Sequence, residues 1–278
     1  MSYVPFSRAL ALAALAGAAF LANAQFSTSG YSETLSSVDA PDERQWMEVS
    51  QKAIGNQVGN YRFVEAKGTS VSLNELRGKP VVVSLIYTSC SHVCPMTTQR
   101  LRRAVEEAQR VIGTDRFTVI TVGFDVRNDT PMRMAAFARA QGVKFSNWLF
   151  LSGDNASVSK LAEDVGFSYA ARAGGFVHAA QTTILDSEGR VYRQVYGDDF
   201  PIQVFMEPLK EAVYGTVGTF LSVDGLLDRV RFLCTVYDPN QGRYRFSYAI
   251  AMTFLTGLIS LGATALVISR AWLNSRRA

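Results

Sequence analysis

Cysteine and histidine are scarce in this chain, three and two among 278 residues. Three cysteines cannot build a disulfide-rich scaffold, and two histidines leave only His92 and His178 as imidazole donors. Excess charge is small as well. The formal net charge is +4 with no clustered basic stripe, which argues against nucleic acid as a partner. There is no internal repeat and no low-complexity tract, which argues against repeat architectures. Charge is missing altogether from residues 247–269, a run of 23 residues. At about 1.5 Å per residue such a helix crosses a hydrocarbon core of ~30 Å.

What is present fits around that run. Arg8, the apolar stretch 9–21 and the small-residue site Ala22-Asn23-Ala24 read as a secretory signal peptide over residues 1–24. Tyr248 and Trp272 stand at the two ends of the apolar run, where amphipathic aromatics belong, and Arg270, Arg276 and Arg277 follow it. The expected layout is a main domain in a bacterial periplasm, a C-terminal transmembrane helix over 247–269 in the inner membrane, and a cytoplasmic tail over 270–278. The basic tail suits contact with anionic lipid.

Residues 25–58 are polar and read as a linker or arm, with a helical stretch near Trp46. From residue 59 to 215 strands and helices alternate. The β-branched run 81–87 and the run 117–124 read as strands buried on both faces. Residues 97–112 read as an amphipathic helix on Leu101, Val105, Ala108 and Ile112. Pro131 opens a helix capped by Thr130, and residues 155–165 form another, closed by Gly166. A hairpin across Asp186-Ser187-Glu188-Gly189 and a last helix over 201–213 complete an α/β fold with a central sheet covered on both faces. Within 216–246, residues 222–234 read as an amphipathic juxtamembrane helix.

Two of the three cysteines, Cys90 and Cys94, fall in YTSCSHVCPM, directly after the first buried strand. Cys94 lies in the first turn of the next helix, so residues four apart bring the two sulfurs toward each other. The positive end of the helix favours thiolate, and Pro95 suits the first turn. Three chemistries remain open for the pair: a structural disulfide, a dithiol that exchanges disulfides, or a soft-metal site that selects Cu(I). For the last, either histidine is a candidate third ligand. His178 follows the flexible glycine pair 174–175 just ahead of the hairpin, whereas His92 lies inside the CxxxC loop and faces solvent.

The stretches LNELRGKPVVVSLIYTSCSHVCP, VGFDVRNDTP and VHAAQTTILDSEGRVYRQVYG, in that order over roughly residues 60–213, resemble the SCO/SenC family. The resemblance implies a thioredoxin-like fold and a membrane-tethered, copper-binding protein that assembles the binuclear copper centre of cytochrome c oxidase. It implies that Cys90, Cys94 and His178 ligate copper, as Cu(I) or Cu(II), and that Asp125 and Asp129 form an acidic turn that tunes the site or docks a partner. Their plainer role is a turn that caps the following helix. Implied partners are the copper-bearing oxidase subunit and other periplasmic copper or thiol-redox proteins.

The chain departs from the family pattern at three points. His92 stands where an acidic residue is usual, which makes it an alternative ligand. The expected anchor is C-terminal rather than N-terminal. A third cysteine, Cys234, lies 13 residues before the apolar run, as a buried thiol or a contact to a partner or copper. Two functions follow: a copper metallochaperone, not itself an enzyme, or a thiol–disulfide reductase that needs Cys90 and Cys94 as a redox pair but not His178. A thiol peroxidase fits poorly, because Arg100 and Arg102 lie too far along the helix to serve the attacking cysteine.

Overall fold

A computed structural model of the chain describes residues 43–215, 234–238 and 243–276. The expected signal peptide, most of the arm, and the amphipathic helix up to residue 233 lie outside the described residues.

The core is a sheet of seven strands. These are β1 (Arg62–Glu65), β2 (Ser70–Ser72), β3 (Val81–Ile86), β4 (Thr118–Gly123), β5 (Trp148–Ser152), β8 (Gln181–Leu185) and β9 (Val191–Tyr196), in the order β2-β1-β5-β4-β3-β8-β9. The central strands β3, β4 and β5 run parallel, while β8 and β1 add antiparallel on either side. Every residue of β3 and β4 is buried. That is why both read as unbroken apolar and β-branched runs rather than as alternations: parallel strands need cover on both faces. The helices are α1 (Glu43–Lys52), α2 (Val93–Val111), α3 (Pro131–Ala140), α4 (Asn155–Asp164) and α5 (Ile202–Gly215). The Thr130 hydroxyl caps α3 by accepting from Arg133 N, and Asp154 caps α4 by accepting from Ser157 N. The arrangement is thioredoxin-like.

Four local expectations change. Helix α2 starts at Val93, four residues before the expected start, because the turn holding Cys94 and Pro95 is already helical. Proline there gives up an N–H that has no partner in a first turn. The arm is part of the domain from α1 onward. Val58 is buried, Gly55 N and Val58 N donate to Val191 O and Gly189 O, and Tyr196 reaches Ser50. Between α4 and β8 the glycine pair is not a loose loop but the turn of a second hairpin, β6 (Tyr169–Arg172) with β7 (Gly175–His178). Gly174 holds φ +91°, a left-handed backbone that a side chain would strain.

The fourth change is at the membrane-proximal end. Residues 235–238 and 243–246 form a hairpin, β10 (Thr235–Asp238) with β11 (Arg243–Phe246), that leads straight into α6 (Tyr248–Ser275). Residues 248–272 of α6 have mean hydropathy 1.9 and are long and apolar enough to cross a membrane. Tyr244 pins the hairpin to the domain. It is fully buried, its N donates to Glu107 of α2, its carbonyl accepts from Arg110, and its hydroxyl donates to Glu207 of α5 at 2.6 Å. Removing only that hydroxyl, in Tyr244→Phe, is expected to cost about 1 kcal/mol. A bond to a carboxylate is worth more, but Glu207 is half exposed and water replaces the lost donor. Denaturant unfolding of the full chain in detergent measures it. An unchanged midpoint would mean that the ring and backbone contacts alone hold the hairpin.

Candidate metal and thiol site

The site forms where β3 ends and α2 begins. The turn between them, 87–90, is closed by Cys90 N donating to Tyr87 O. It is held from outside by Asp129, on the loop after β4. Asp129 Oδ1 accepts from both Thr88 N at 2.8 Å and Thr88 Oγ1 at 2.7 Å, and Oδ2 accepts from Asp125 N at 2.9 Å. This carboxylate is 2% exposed and sits so close above Gly123 that a Cβ there would collide with it. Asp129 therefore clamps the cysteine turn, while Thr130 caps the following helix. Asp125 is turned toward Asn128, whose Nδ2 donates to it at 2.7 Å.

The two sulfurs are unequal. Cys90 is half-buried and Cys94 is 1% exposed. Cys90 ends the turn that precedes α2 and Cys94 lies in the first turn of α2, where Cys94 N donates to Cys90 Sγ at 3.3 Å. Burial raises the Cys90 thiol, but the N–H groups of Cys94 and His92 and the Tyr87 hydroxyl outweigh it, and its pKa lies below the ordinary thiol value. Burial dominates at Cys94 and pushes that thiol well up, with the neighbouring Cys90 adding to the effect. The pair is thus an outer sulfur ready to ionise and an inner sulfur held as thiol. No disulfide joins them.

His178, at the end of β7, stands over the inner sulfur. Its Nε2 lies 3.6 Å from Cys94 Sγ and its Nδ1 lies 2.9 Å from Ala179 O. A carbonyl only accepts, so the proton resides on Nδ1 and the Nε2 lone pair faces the sulfur. Burial lowers the His178 pKa against the raising effect of the Ala179 carbonyl, which keeps the ring neutral. The ring is surrounded by Tyr87, Phe124 and Phe167 at centroid distances of 5.5–5.9 Å. Tyr169 lies directly across the strand pair from it. Sequence reasoning missed this aromatic enclosure. The signal was there: Phe167 and Tyr169, then Phe176 and His178, alternate with period two and so share one face of a hairpin.

The donor set is soft and fits a soft metal: two sulfurs and a neutral imidazole whose lone pair is free of its own proton. Cys94 and His178 are already adjacent. Among the described residues no three His, Cys, Asp or Glu side chains stand assembled at metal-holding geometry. The other candidates lie apart. His92 is exposed at the start of α2 and makes no capping bond. Cys234 is fully buried beside the β10–β11 hairpin, whose Tyr244 meets α2 at Glu107, about 20 Å along the helix from Cys94.

A sequence model of the SCO1/SenC family matches residues 50–213, more than half of the chain. The SCO1 protein homolog of Bacillus subtilis is 29% identical over 99 residues, 35% of this chain and 49% of that protein, so the match spans about half the length of that relative. Among solved structures, a putative electron transfer protein of Aquifex aeolicus superposes with a TM-score of 0.54 at 26% identity, covering 57% of this chain and 94% of that one. Yeast Sco1, solved with copper bound, gives 0.50 at 14% identity over 62% and 98%, a likeness of fold. With the cysteine turn, the distal histidine and the sheet in the family's order, the chain belongs to the SCO1/SenC family.

Proposed function

We propose that the chain is a membrane-tethered copper metallochaperone that passes copper to the binuclear copper site of cytochrome c oxidase. Cys90, Cys94 and His178 hold the ion as cargo. The observation that carries this reading is the neutral Nε2 of His178 placed 3.6 Å from Cys94 Sγ. A soft-metal site needs that lone pair as a ligand, whereas the first exchange step of a thiol–disulfide enzyme runs on Cys90 alone and would use the imidazole only later, as a base for Cys94. Copper draws the half-exposed Cys90 sulfur in to complete the set, and the same sulfur lets the ion leave by exchange with a partner's ligands. The proposed layout keeps the signal over residues 1–24, the domain in the periplasm, residues 247–269 as the transmembrane tether and residues 270–278 in the cytoplasm. The copper-bearing oxidase subunit receives the ion, and other periplasmic copper or thiol-redox proteins supply and reduce the chain.

One observation favours the second reading, a reductase that keeps the oxidase cysteines reduced: the unequal sulfurs, outer ionisable and inner buried, are what disulfide exchange uses. His178→Ala separates the two. Copper retained by the reduced, anaerobic full chain in detergent is expected to be about one ion, and its affinity is expected to fall at least ~10-fold in the variant, by analogy with the loss that disturbed metal shells cause. Disulfide exchange at Cys90 is expected to continue. Copper binding indifferent to His178 would leave the reductase reading standing.

A further inference from the structure

The outer sulfur lies at one end of a groove of about 390 Å³ between α2 and α3. Cys90 and Pro95 line one side, and Arg133, Ala136, Phe137 and Ala140 the other. Ala136 and Ala140 are exposed although apolar. Met132, 77% exposed, precedes them on the same helical stripe at spacings of four, and Met96, 41% exposed, follows Pro95 on α2. Arg133 makes only long bonds to Asn128 O and Oδ1, at 3.4 and 3.3 Å, and has no carboxylate partner among the described residues.

We propose that this groove docks the cysteine-bearing segment of the partner protein, an extended peptide with an apolar side chain beside its cysteine and a carboxylate that pairs with Arg133. The inference rests on the reading that Cys90 is the exchanging sulfur. Whether copper or a disulfide passes, the partner's sulfur must reach Cys90, so the residues flanking it must lie against this surface. The other side of Cys90 is taken: Tyr87 stands beside it, its hydroxyl 3.5 Å from Phe176 O of the β6–β7 hairpin. The open side is the groove, which is continuous with the reacting atom. Its small alanines admit a peptide backbone, and Arg133, the one cation in its lining, selects the charge of the occupant.

The probe is a ten-residue peptide with leucine before and glutamate two residues after a single cysteine, activated as the mixed disulfide with thionitrobenzoate. The full chain is used in detergent, reduced and copper-free. The Cys90 thiolate attacks the peptide sulfur, the thionitrobenzoate thiolate leaves, and its colour reports the rate. Cys94 then passes its proton to Nε2 of His178, 3.6 Å away, and attacks Cys90 Sγ, which releases the peptide as thiolate and leaves the protein disulfide. Mass spectrometry places the first adduct on Cys90. Glutathione carrying the same leaving group measures the intrinsic reactivity of that sulfur.

Wild type is expected to react about tenfold faster with this peptide than with one carrying lysine for glutamate, a difference of the size that one charge contact supplies. Ala136→Glu, at an exposed helix position, is expected to remove most of the advantage, and Arg133→Glu to reverse it in favour of the lysine peptide. The glutathione rate is expected to stay within about twofold of wild type in both variants, because small reagents do not use the groove. Equal rates for both peptides, or variants that leave the preference intact, overturn the docking surface while Cys90 remains the exchanging sulfur. Failure of Cys90 to react even with the glutathione reagent overturns the underlying reading and the docking surface with it.

Discussion

Asp129→Ala is expected to destabilise the folded chain by about 3 kcal/mol, a large effect for a residue that touches neither sulfur. The carboxylate accepts three hydrogen bonds, from Thr88 N, Thr88 Oγ1 and Asp125 N, in a site closed to solvent. Alanine leaves those donors buried without acceptors, and each costs roughly 1–3 kcal/mol, partly recovered where the loop relaxes. Asparagine is no remedy, since its amide would place N–H groups against one of the two donor sets. The loss also reaches the chemistry. Thr88 lies two residues before Cys90, and without the clamp the 87–90 turn no longer fixes the sulfur over the first N–H groups of α2. The thiolate advantage of Cys90 should shrink with the stability.

The pH dependence has a definite sign. Burial holds the Asp129 carboxyl above the ordinary carboxylate range, against the lowering effect of the Thr88 and Asp125 donors. A pKa raised on folding favours the folded chain below the unfolded value, about 3.9, and that contribution is lost as pH rises through the folded pKa. The stability gap between wild type and Asp129→Ala is therefore expected to be wider in acid than at neutral pH. Denaturant midpoints at the two pH values, with alkylation rates of Cys90 alongside, test both halves. A gap that grows toward neutral pH would mean that the three hydrogen bonds, not burial, govern this carboxyl.

Much of this clamp was legible in the sequence as a pattern but not as a contact. The runs 81–87 and 117–124 announce buried strands because parallel strands carry no polar face, and β3 and β4 lie where those runs lie. The helix caps at Thr130 and the hairpin before Gly189 are short-range chemistry and equally readable. Asp129 read as a turn or cap because the partner it holds, Thr88, is 41 residues away. The Cys94–His178 pairing spans 84 residues. The residues alone allowed either histidine, and the glycine pair ahead of His178 together with the family resemblance pointed to that one. The β6–β7 hairpin escaped notice because its strands are four residues long and joined at a glycine pair, which is also how a loose loop is written. The β10–β11 hairpin was hidden for another reason. Its inward residue Tyr244 meets its partners Glu107 and Glu207 only through the tertiary fold, so no local pattern marks it.

Oxidation of Cys90 and Cys94 is expected to abolish copper retention, from about one ion per chain to none. Diamide takes two electrons and two protons from the thiols, and the new S–S bond uses both sulfurs that the ion requires. What remains is the His178 ring, a single neutral donor that cannot by itself retain Cu(I) against a competing chelator. The inner sulfur matters most in this argument. Cys94 faces Nε2 of His178 across 3.6 Å, and its raised pKa means that the thiol proton must be displaced before the sulfur ligates. Copper binding to the reduced chain should therefore release protons and tighten as pH rises, whereas the oxidised chain should show neither effect. Equilibrium dialysis against a Cu(I) chelator at two pH values, before diamide, after it and after re-reduction, gives the comparison. Full recovery on re-reduction would show that the change is confined to the sulfurs. Copper held equally well by the disulfide form would exclude thiolate ligation, and with it both the metallochaperone reading and the role assigned to His178.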